Sequence, residues 1–367
     1  MRLLYGKLDD TGDFKIQIDW VGTMKIGILG HFARNTELCD GQTVKTRNVE
    51  RALLSCTDDI ITVDSYNWKK HPFSFLFDII KLVRASDVIV MLPDAGGIKI
   101  YPFVINLFAS KKKMKIYSVV GAWLPSYLKK NKVISDQLKK FDYIFVETQT
   151  MHNQLIELGF ENTVIVPNFK DITPLKEEEI KYNFEQPLPF CIFSRIMKEK
   201  GVSDAIQACD RVNKEAGKTV CTLDIYGPID ENYASEFSKL CEKHSDFVSY
   251  KGVANPNESV EILKNYYMLL FPTLFYTEGI PGTIIDAFSA GVPVLASEWE
   301  SWRNVLTEKD SITYKFEDVE ELYEKIKFCI ENIETVNGYR ENCLSSAEKF
   351  SLSTSRETLW RLINGES

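Results

Sequence analysis

Histidine is scarce in this chain: four residues (31, 71, 152, 244) are scattered over 367 and leave no zinc signature. The eight cysteines (39, 56, 191, 209, 221, 241, 329, 343) show no paired metal spacing, and several sit in apolar runs such as Phe190-Cys191-Ile192. With no secretory leader read at the start, this pattern predicts a reducing cytoplasmic compartment with buried thiols. No apolar run approaches the roughly 18–20 residues of a membrane span, so any membrane contact is expected to be peripheral. Neither G-x-G-x-x-G nor the Walker pattern occurs, which argues against dinucleotide and P-loop readings.

What is present is enough for two domains of ordinary size, with 44% apolar residues to fill two cores. The net charge of −8 is uneven: residues 1–175 carry 23 Lys+Arg against 19 Asp+Glu, the remainder 21 against 33. Within 99–140 there are ten Lys and one acid, Asp136, interleaved with Tyr101, Phe103, Phe108, Trp123 and Tyr127. That face suits an anionic membrane surface or an anionic substrate, and equally a solvated helix surface. Nucleic acid is disfavoured by the acidic total and the lack of a binding motif.

Strands and helices alternate from Met24 onward. Ile26–Leu29, Ile60–Val63, Val88–Leu92, Ile116–Val120, Tyr143–Glu147 and Val164–Pro167 read as strands, with helices near 44–55 and 73–85. A second set follows at Phe190–Ser194, Val220–Tyr226, Val248–Tyr250, Met268–Phe271 and Val292–Ala296. Such alternation predicts parallel sheets covered on both faces, hence an α/β chain of two Rossmann-like halves facing across a cleft. The expected domains are 24–172 and 173–350, joined by a Pro-rich linker with a short acidic helix, with a C-terminal helix in 351–367 docking back on the first. Residues 1–23 form an extension read either as an added edge strand (Phe14, Ile16, Ile18, Trp20) or as a start-site artefact.

Residues 276–297 are the most informative stretch. An apolar strand, a turn holding Glu278, Gly279, Pro281 and Gly282, a short helix from Thr283, then Gly291 and a second apolar strand follow in order. This unit presents a helix N-terminus to an anion. Glu278 in the loop and Asp286 in the first helical turn, seven residues between them, are expected to accept hydrogen bonds from sugar or ribose hydroxyls. The structural alternative is a capping box, Thr283-x-x-Asp286, with Gly291 as a C-cap. A second anchor, Ser194-Arg195…Lys200-Gly201 before a helix capped by Ser203, places two cations where a diphosphate needs them.

These two stretches resemble the donor-site motifs of retaining glycosyltransferase family 4, which has the GT-B fold. The likeness extends to Gly41-Gln42-Thr43, Val119–Trp123 and Pro167-Asn168-Phe169, and covers nearly everything from Met24 on. One departure is Asp286, where the family commonly has Glu. The resemblance implies that Arg195 and Lys200 bind the donor diphosphate and stabilise the leaving group. It implies that Glu278 holds hydroxyls of the transferred sugar, that Gly282 and Thr283 offer backbone N–H groups, and that Asp286 holds the ribose. Arg195, Lys200 and Glu278 are thereby the catalytic set.

The implied reaction is hexosyl transfer from a nucleotide sugar, UDP favoured over GDP, with retained configuration, no cofactor and no metal. The acceptor side falls in the first half, at Gly41, Gln42, Thr43, Asp94, Gly96, Gly97 and Trp123. A lipid-linked or glycan acceptor in cell-surface polysaccharide assembly, met in the cytoplasm or at the inner face of the membrane, suits the basic segment 99–140. A sugar-nucleotide epimerase, a phosphorylase and a non-catalytic nucleotide-sugar-binding protein are the alternatives.

Overall fold

A computed structural model of the chain describes residues 2–8 and 14–20 as backbone, and 24–34, 36 and 40–364 in full. Cys39 and residues 365–367 lie outside the described residues. Fourteen described strands fall into three sheets. Strands β1 (Arg2–Leu8) and β2 (Phe14–Trp20) pair antiparallel as a sheet of their own, so among the described residues the extension adds no edge strand to either large sheet.

The first large sheet holds β3 (Ile26–Gly30), β4 (Ile60–Asp64), β5 (Val88–Leu92), β6 (Met114–Ser118), β7 (Tyr143–Val146) and β8 (Thr163–Ile165). All pairings are parallel, in the order β4-β3-β5-β6-β7-β8. The second holds β9 (Leu188–Phe193), β10 (Cys221–Tyr226), β11 (Val248–Gly252), β12 (Met268–Phe271), β13 (Val294–Ser297) and β14 (Ser311–Tyr314), again all parallel, ordered β11-β10-β9-β12-β13-β14. These are two Rossmann-like doubly wound domains. Every residue of β3, β5, β12 and β13 is buried, as central strands covered on both faces require. The sequence reading missed β14, a four-residue edge strand whose apolar signal is only Ile312 and Tyr314.

Strand order fixes where ligands can enter. In a doubly wound sheet the crevice opens beyond the carboxyl ends of the two strands at which the winding reverses. Those strands are β3 and β5 in the first sheet and β9 and β12 in the second. The C-terminal helix Leu352–Ile363 returns to the first domain, where Leu359 and Ile363 share a core with Ile26, Ile28, Val49 and Leu53. Leu175 and Ile180 of the linker belong instead to the second domain's core.

Buried Arg340 donates to the Gly291 carbonyl at 3.1 Å and the Tyr267 carbonyl at 2.6 Å, holding the starts of β12 and β13 together. Burial pushes its pKa down to about 10.

A candidate donor site at the second switch point

The loop after β9 and the loop after β12 converge where the winding of the second sheet reverses. Lys200 ends a 3-10 turn (Lys198–Lys200), and Gly201, at φ 65°, opens the helix Val202–Ala216. A β-carbon at Gly201 would overlap the Pro272 carbonyl oxygen, so the two loops touch only because this position is glycine. Ser203, expected as the cap, lies inside the helix and bonds Asp204, because the left-handed Gly201 already turns the chain into it.

Lys200 forms an ion pair with Glu278, which also accepts from Thr273 Oγ1 at 3.1 Å. The Lys200 ammonium lies 5.6 Å from the Phe271 ring centroid and 5.0 Å from that of Phe275. Both charges are about four-fifths shielded from solvent, so this is a preformed polar centre rather than a surface pair.

The helix beyond the loop is Gly282–Ser289, capped by Pro281 without a side-chain bond. No capping box forms: Thr283 Oγ1 is buried with no partner among the described residues, and Asp286 faces elsewhere. The helix ends as expected at Gly291, with Val292 N–H donating to Ala287 and Gly291 N–H to Phe288, a Schellman pattern.

Asp286 differs from expectation. It is the fifth residue of the helix, 2% exposed, and its carboxylate is taken by Lys170 Nζ (2.7 and 2.6 Å) and Ser259 Oγ (3.1 Å). The second turn of the helix carries it inward, under the hinge lysine. Gly282 lies beside the same side chain: a β-carbon there would sit 3.1 Å from Lys170 Cε. Arg195 also stands apart from the Lys200–Glu278 pair. More than half exposed, it bonds Asp230 at 2.6 Å at the rim. Asp230 is held below the usual carboxylate range first by the Asn232 N–H and then by Arg195. Lys200 and Glu278 therefore meet directly, Gly282 and Asp286 meet through Lys170, and Arg195 pairs with Asp230 instead.

The first domain contributes what the sequence reading did not find. Buried Glu147, just past β7, pairs with Lys45 and accepts from the Ile280 N–H at 3.0 Å. Lys45 also donates to the Val119 carbonyl at 2.7 Å. Asn168 Nδ2 takes the Ile280 carbonyl at 2.9 Å, so this peptide of the donor loop is held at both ends by residues outside it. Gly279 packs so closely that a β-carbon would overlap Glu147 Oε2. Alongside, Gln154 bonds Glu300 at 2.7 Å and Thr150 bonds Asn304 at 2.9 Å. Lys45 and Glu147 are 102 residues apart and carry no local spacing signal.

On the acceptor side, Gly41–Thr43 form the first turn of the helix Gly41–Leu54 rather than a loop. Asp40 caps that turn, accepting from Gln42 and Thr43 N–H at 3.0 Å each. Gln42 Nε2 reaches the Leu92 carbonyl at 3.2 Å, which joins this turn to the Asp94–Gly97 loop across the first switch point. Asp94 accepts from the Gly97 N–H. Trp123, past β6, spends its indole N–H on the Val120 carbonyl at 2.9 Å. Hollows of about 480 and 340 Å³ lie along β7–β8 and β4.

Residues 189–332 match the family model described as Glycosyl transferases group 1. An uncharacterized glycosyltransferase of Methanocaldococcus jannaschii is 24% identical over 272 residues, 67% of this chain and 65% of the relative. The amylovoran biosynthesis glycosyltransferase AmsK of Erwinia amylovora is 23% identical over 183 residues, 45% of this chain and 43% of the relative. The chain thus spans less than two thirds of either relative's length. The crystal structure of HepE of Anabaena in complex with UDP superposes with a TM-score of 0.74 at 14% identity, covering 93% of this chain and 100% of that one. The fold is GT-B, and residues 189–332 match a glycosyl transferases group 1 domain.

Proposed function

We propose that the chain is a retaining glycosyltransferase of the family 4 type. It moves a hexose from a nucleotide sugar, UDP preferred over GDP, to a lipid-linked or glycan acceptor in cell-surface polysaccharide assembly. The observation that carries this reading is the Lys200–Glu278 pair at the carboxyl ends of β9 and β12. It sits beside a helix whose first turn receives no side-chain cap and whose Thr283 hydroxyl has no partner among the described residues. HepE was solved with UDP and with UDP-glucose, and AmsK is named for amylovoran biosynthesis, which supports the donor and the acceptor class.

In this reading the donor diphosphate lies against the N-terminus of Gly282–Ser289, where backbone N–H groups and the helix dipole favour an anion. Negative charge grows on the departing phosphate as the glycosidic bond breaks. Lys200 meets that charge, and Arg195 swings from Asp230 to join it. Electrostatic stabilisation in a shielded site is the main protein contribution. Glu278 holds hydroxyls of the sugar and Asp286 the ribose, the latter after Lys170 gives way. The cations do the work a metal does in other transferases, so none is required. No side chain is assigned as nucleophile.

A thermal-shift panel of UDP, GDP and ADP is the first test. Ligand at 100 times its dissociation constant adds about 2.7 kcal/mol, with UDP expected to give the largest shift. Donor turnover follows. Removing a hydrogen bond to a charged group costs about 1.5–3 kcal/mol, so Glu278→Ala and Lys200→Ala should each slow transfer by roughly tenfold or more. Wild-type rates in both variants would end the site assignment. Nucleotide binding with no donor breakdown under any acceptor would return the chain to the non-catalytic alternative.

A further inference from the structure

Two neighbouring helices of the first domain, Pro72–Ala85 and Tyr101–Phe108, are apolar on more sides than a core needs. Phe75, Ile79, Leu82 and Val83 of one, with Tyr101 and Ile105 of the other, fill a shared core. The opposite side is apolar too. Phe73 is 88% exposed, Leu107 76% and Phe77 57%, with Leu76, Ile100 and Phe103 each more than a third open. A helix that is hydrophobic nearly all round is at home in a protein interior or against lipid. Single exposed apolar residues need no explanation, but five on two adjoining helices, with Ile100 at the N-cap of the second, form a patch of the kind that marks an interaction surface.

The surroundings of the patch identify what it meets. Lys69 and Lys70 precede the first helix, Lys99 precedes the second, and Lys111 and Lys112 follow it, all exposed. None of these five forms an ion pair among the described residues. Along the helices, Lys81 Nζ lies 4.7 Å from the Phe77 ring centroid and the Arg84 guanidinium 5.6 Å from that of Phe108. Long basic side chains laid over apolar rings, with their charge at the edge, suit a surface that is greasy in its middle and anionic at its rim. Asp78 is the single acid on the helix Pro72–Ala85. A second copy of the chain fits poorly, because pairing this face with itself sets lysine rim against lysine rim.

We propose that this two-helix face docks on a bilayer containing anionic lipid, with Phe73, Phe77, Phe103 and Leu107 entering the interface and the flanking lysines meeting headgroups. This differs from the aromatic set expected in 99–140, of which Tyr101 is buried and Phe108, Trp123 and Tyr127 are half-buried. Because each helix begins beyond the carboxyl end of a strand, Phe73, Ile100 and Phe103 lie on the same side as the crevice bordered by Asp94 and Gly97. Docking brings that crevice to the membrane surface, where a lipid-borne acceptor is found. Lipid binding is read without turnover, so it stands or falls separately from the transfer reaction.

The experiment is flotation of the full chain with vesicles of phosphatidylcholine alone or mixed with phosphatidylglycerol, at low and high salt. Wild type should float with the mixed vesicles, release as salt rises, and bind phosphatidylcholine weakly. Phe73→Ser with Phe77→Ser should cut the partition coefficient by about tenfold or more, and each of Lys69→Glu and Lys70→Glu by about fivefold. Melting temperature and UDP-induced shift should stay at wild-type values, since both phenylalanines are largely exposed. No flotation of wild type, or equal flotation of the Phe73→Ser/Phe77→Ser variant, overturns the proposal. Self-association through this face in light scattering, without vesicle binding, replaces it with a second copy as the partner.

Discussion

The backbone N–H of Ile280 in the second domain donates to Oε2 of Glu147 in the first, at 3.0 Å. Glu147 is itself buried and neutralised by Lys45. One carboxylate thus receives the donor loop two residues after Glu278 and ties its position to domain contact. Removing one partner of a buried pair strands the other charge, at about 3–5 kcal/mol, so Glu147→Leu alone should lower the melting temperature by roughly 10 °C. The paired swap Lys45→Met/Glu147→Leu removes both charges and should recover most of that stability, because replacing a buried pair by apolar residues is often neutral. It still leaves the Ile280 N–H without an acceptor. Turnover should stay down by about tenfold or more while UDP affinity remains within a few-fold, and Lys45→Met/Glu147→Gln, which keeps an acceptor oxygen, should restore it. Equal turnover in the Leu and Gln double variants would remove any positioning role for Glu147.

Lys170 and Asp286 give a second, opposite relationship: here a protein cation occupies the carboxylate assigned to the nucleotide ribose. A ribose must displace or share it. Lys170→Gln leaves Asp286 short of a charge partner in a buried place, so its melting temperature should fall. The ribose hydroxyls of added UDP can then donate to a carboxylate left with only Ser259. The UDP-induced shift should therefore be larger in Lys170→Gln than in wild type, measured at the same UDP concentration. A smaller or equal shift would take Asp286 out of the nucleotide site.

The thiols predict a pH dependence. Burial raises the pKa of Cys191, Cys209 and Cys343 well above that of an ordinary thiol, with a Cys221 hydrogen bond the first cause at Cys209, and pushes Cys329 up to about 12. A thiol whose folded pKa is raised stabilises the native state fully below the unfolded pKa, and that contribution is lost as pH rises toward the folded value. The urea midpoint should accordingly fall between pH 9 and about 12, with the loss beginning near 9. At pH 8 these four cysteines should resist Ellman's reagent in the native protein and react once urea unfolds it. Rapid native labelling of any of the four would contradict their burial.

What the sequence made legible follows from where the signal was local. Strand–turn–helix periodicity and the paired turns at 194–201 and 278–291 located both sheets and the Lys200–Glu278 contact, since each rests on residues close in the chain. The errors arose where a side chain's direction depends on packing. Asp286 is adjacent in sequence to a helix start, yet the second turn points it at Lys170, which arrives from the hinge 116 residues earlier. Thr283 fits a cap as well as a ligand site in sequence, because both use the same residue types, and only the fold shows Pro281 in the cap position. Glu147 was hidden entirely, being one acid at the end of an apolar strand with its partner on a distant helix. Periodicity alone does not separate the exposed Phe73 and Phe77 from the buried Phe75 of Pro72–Ala85, because it counts apolar residues without saying how many faces are covered.

Gly279 turns the closed arrangement into a steric test. A β-carbon there would overlap Glu147 Oε2 and lie 3.2 Å from Gly121 Cα, so the first domain's backbone and a buried carboxylate stand in its way. Gly121 is backbone, and the Glu147 carboxylate, though the end of a side chain, is pinned by Lys45 and the Ile280 N–H, so a rotamer change there would break a buried ion pair. Gly279→Ala should therefore hold the two domains slightly apart without touching Lys200, Glu278 or the helix Gly282–Ser289. Nucleotide binding, which the proposed function gives to those elements, should stay within a few-fold of wild type. Catalysis needs the acceptor side brought within about 3–3.5 Å of the sugar, and misplacement by about 1 Å can cost 100-fold, so kcat should fall by one to two orders of magnitude. Amide exchange at Ile280, protected in wild type by the bond to Glu147, should accelerate in the same variant. If Gly279→Ala instead turns over at the wild-type rate with Ile280 still protected, contact between Gly279 and the first domain is not part of the working conformation.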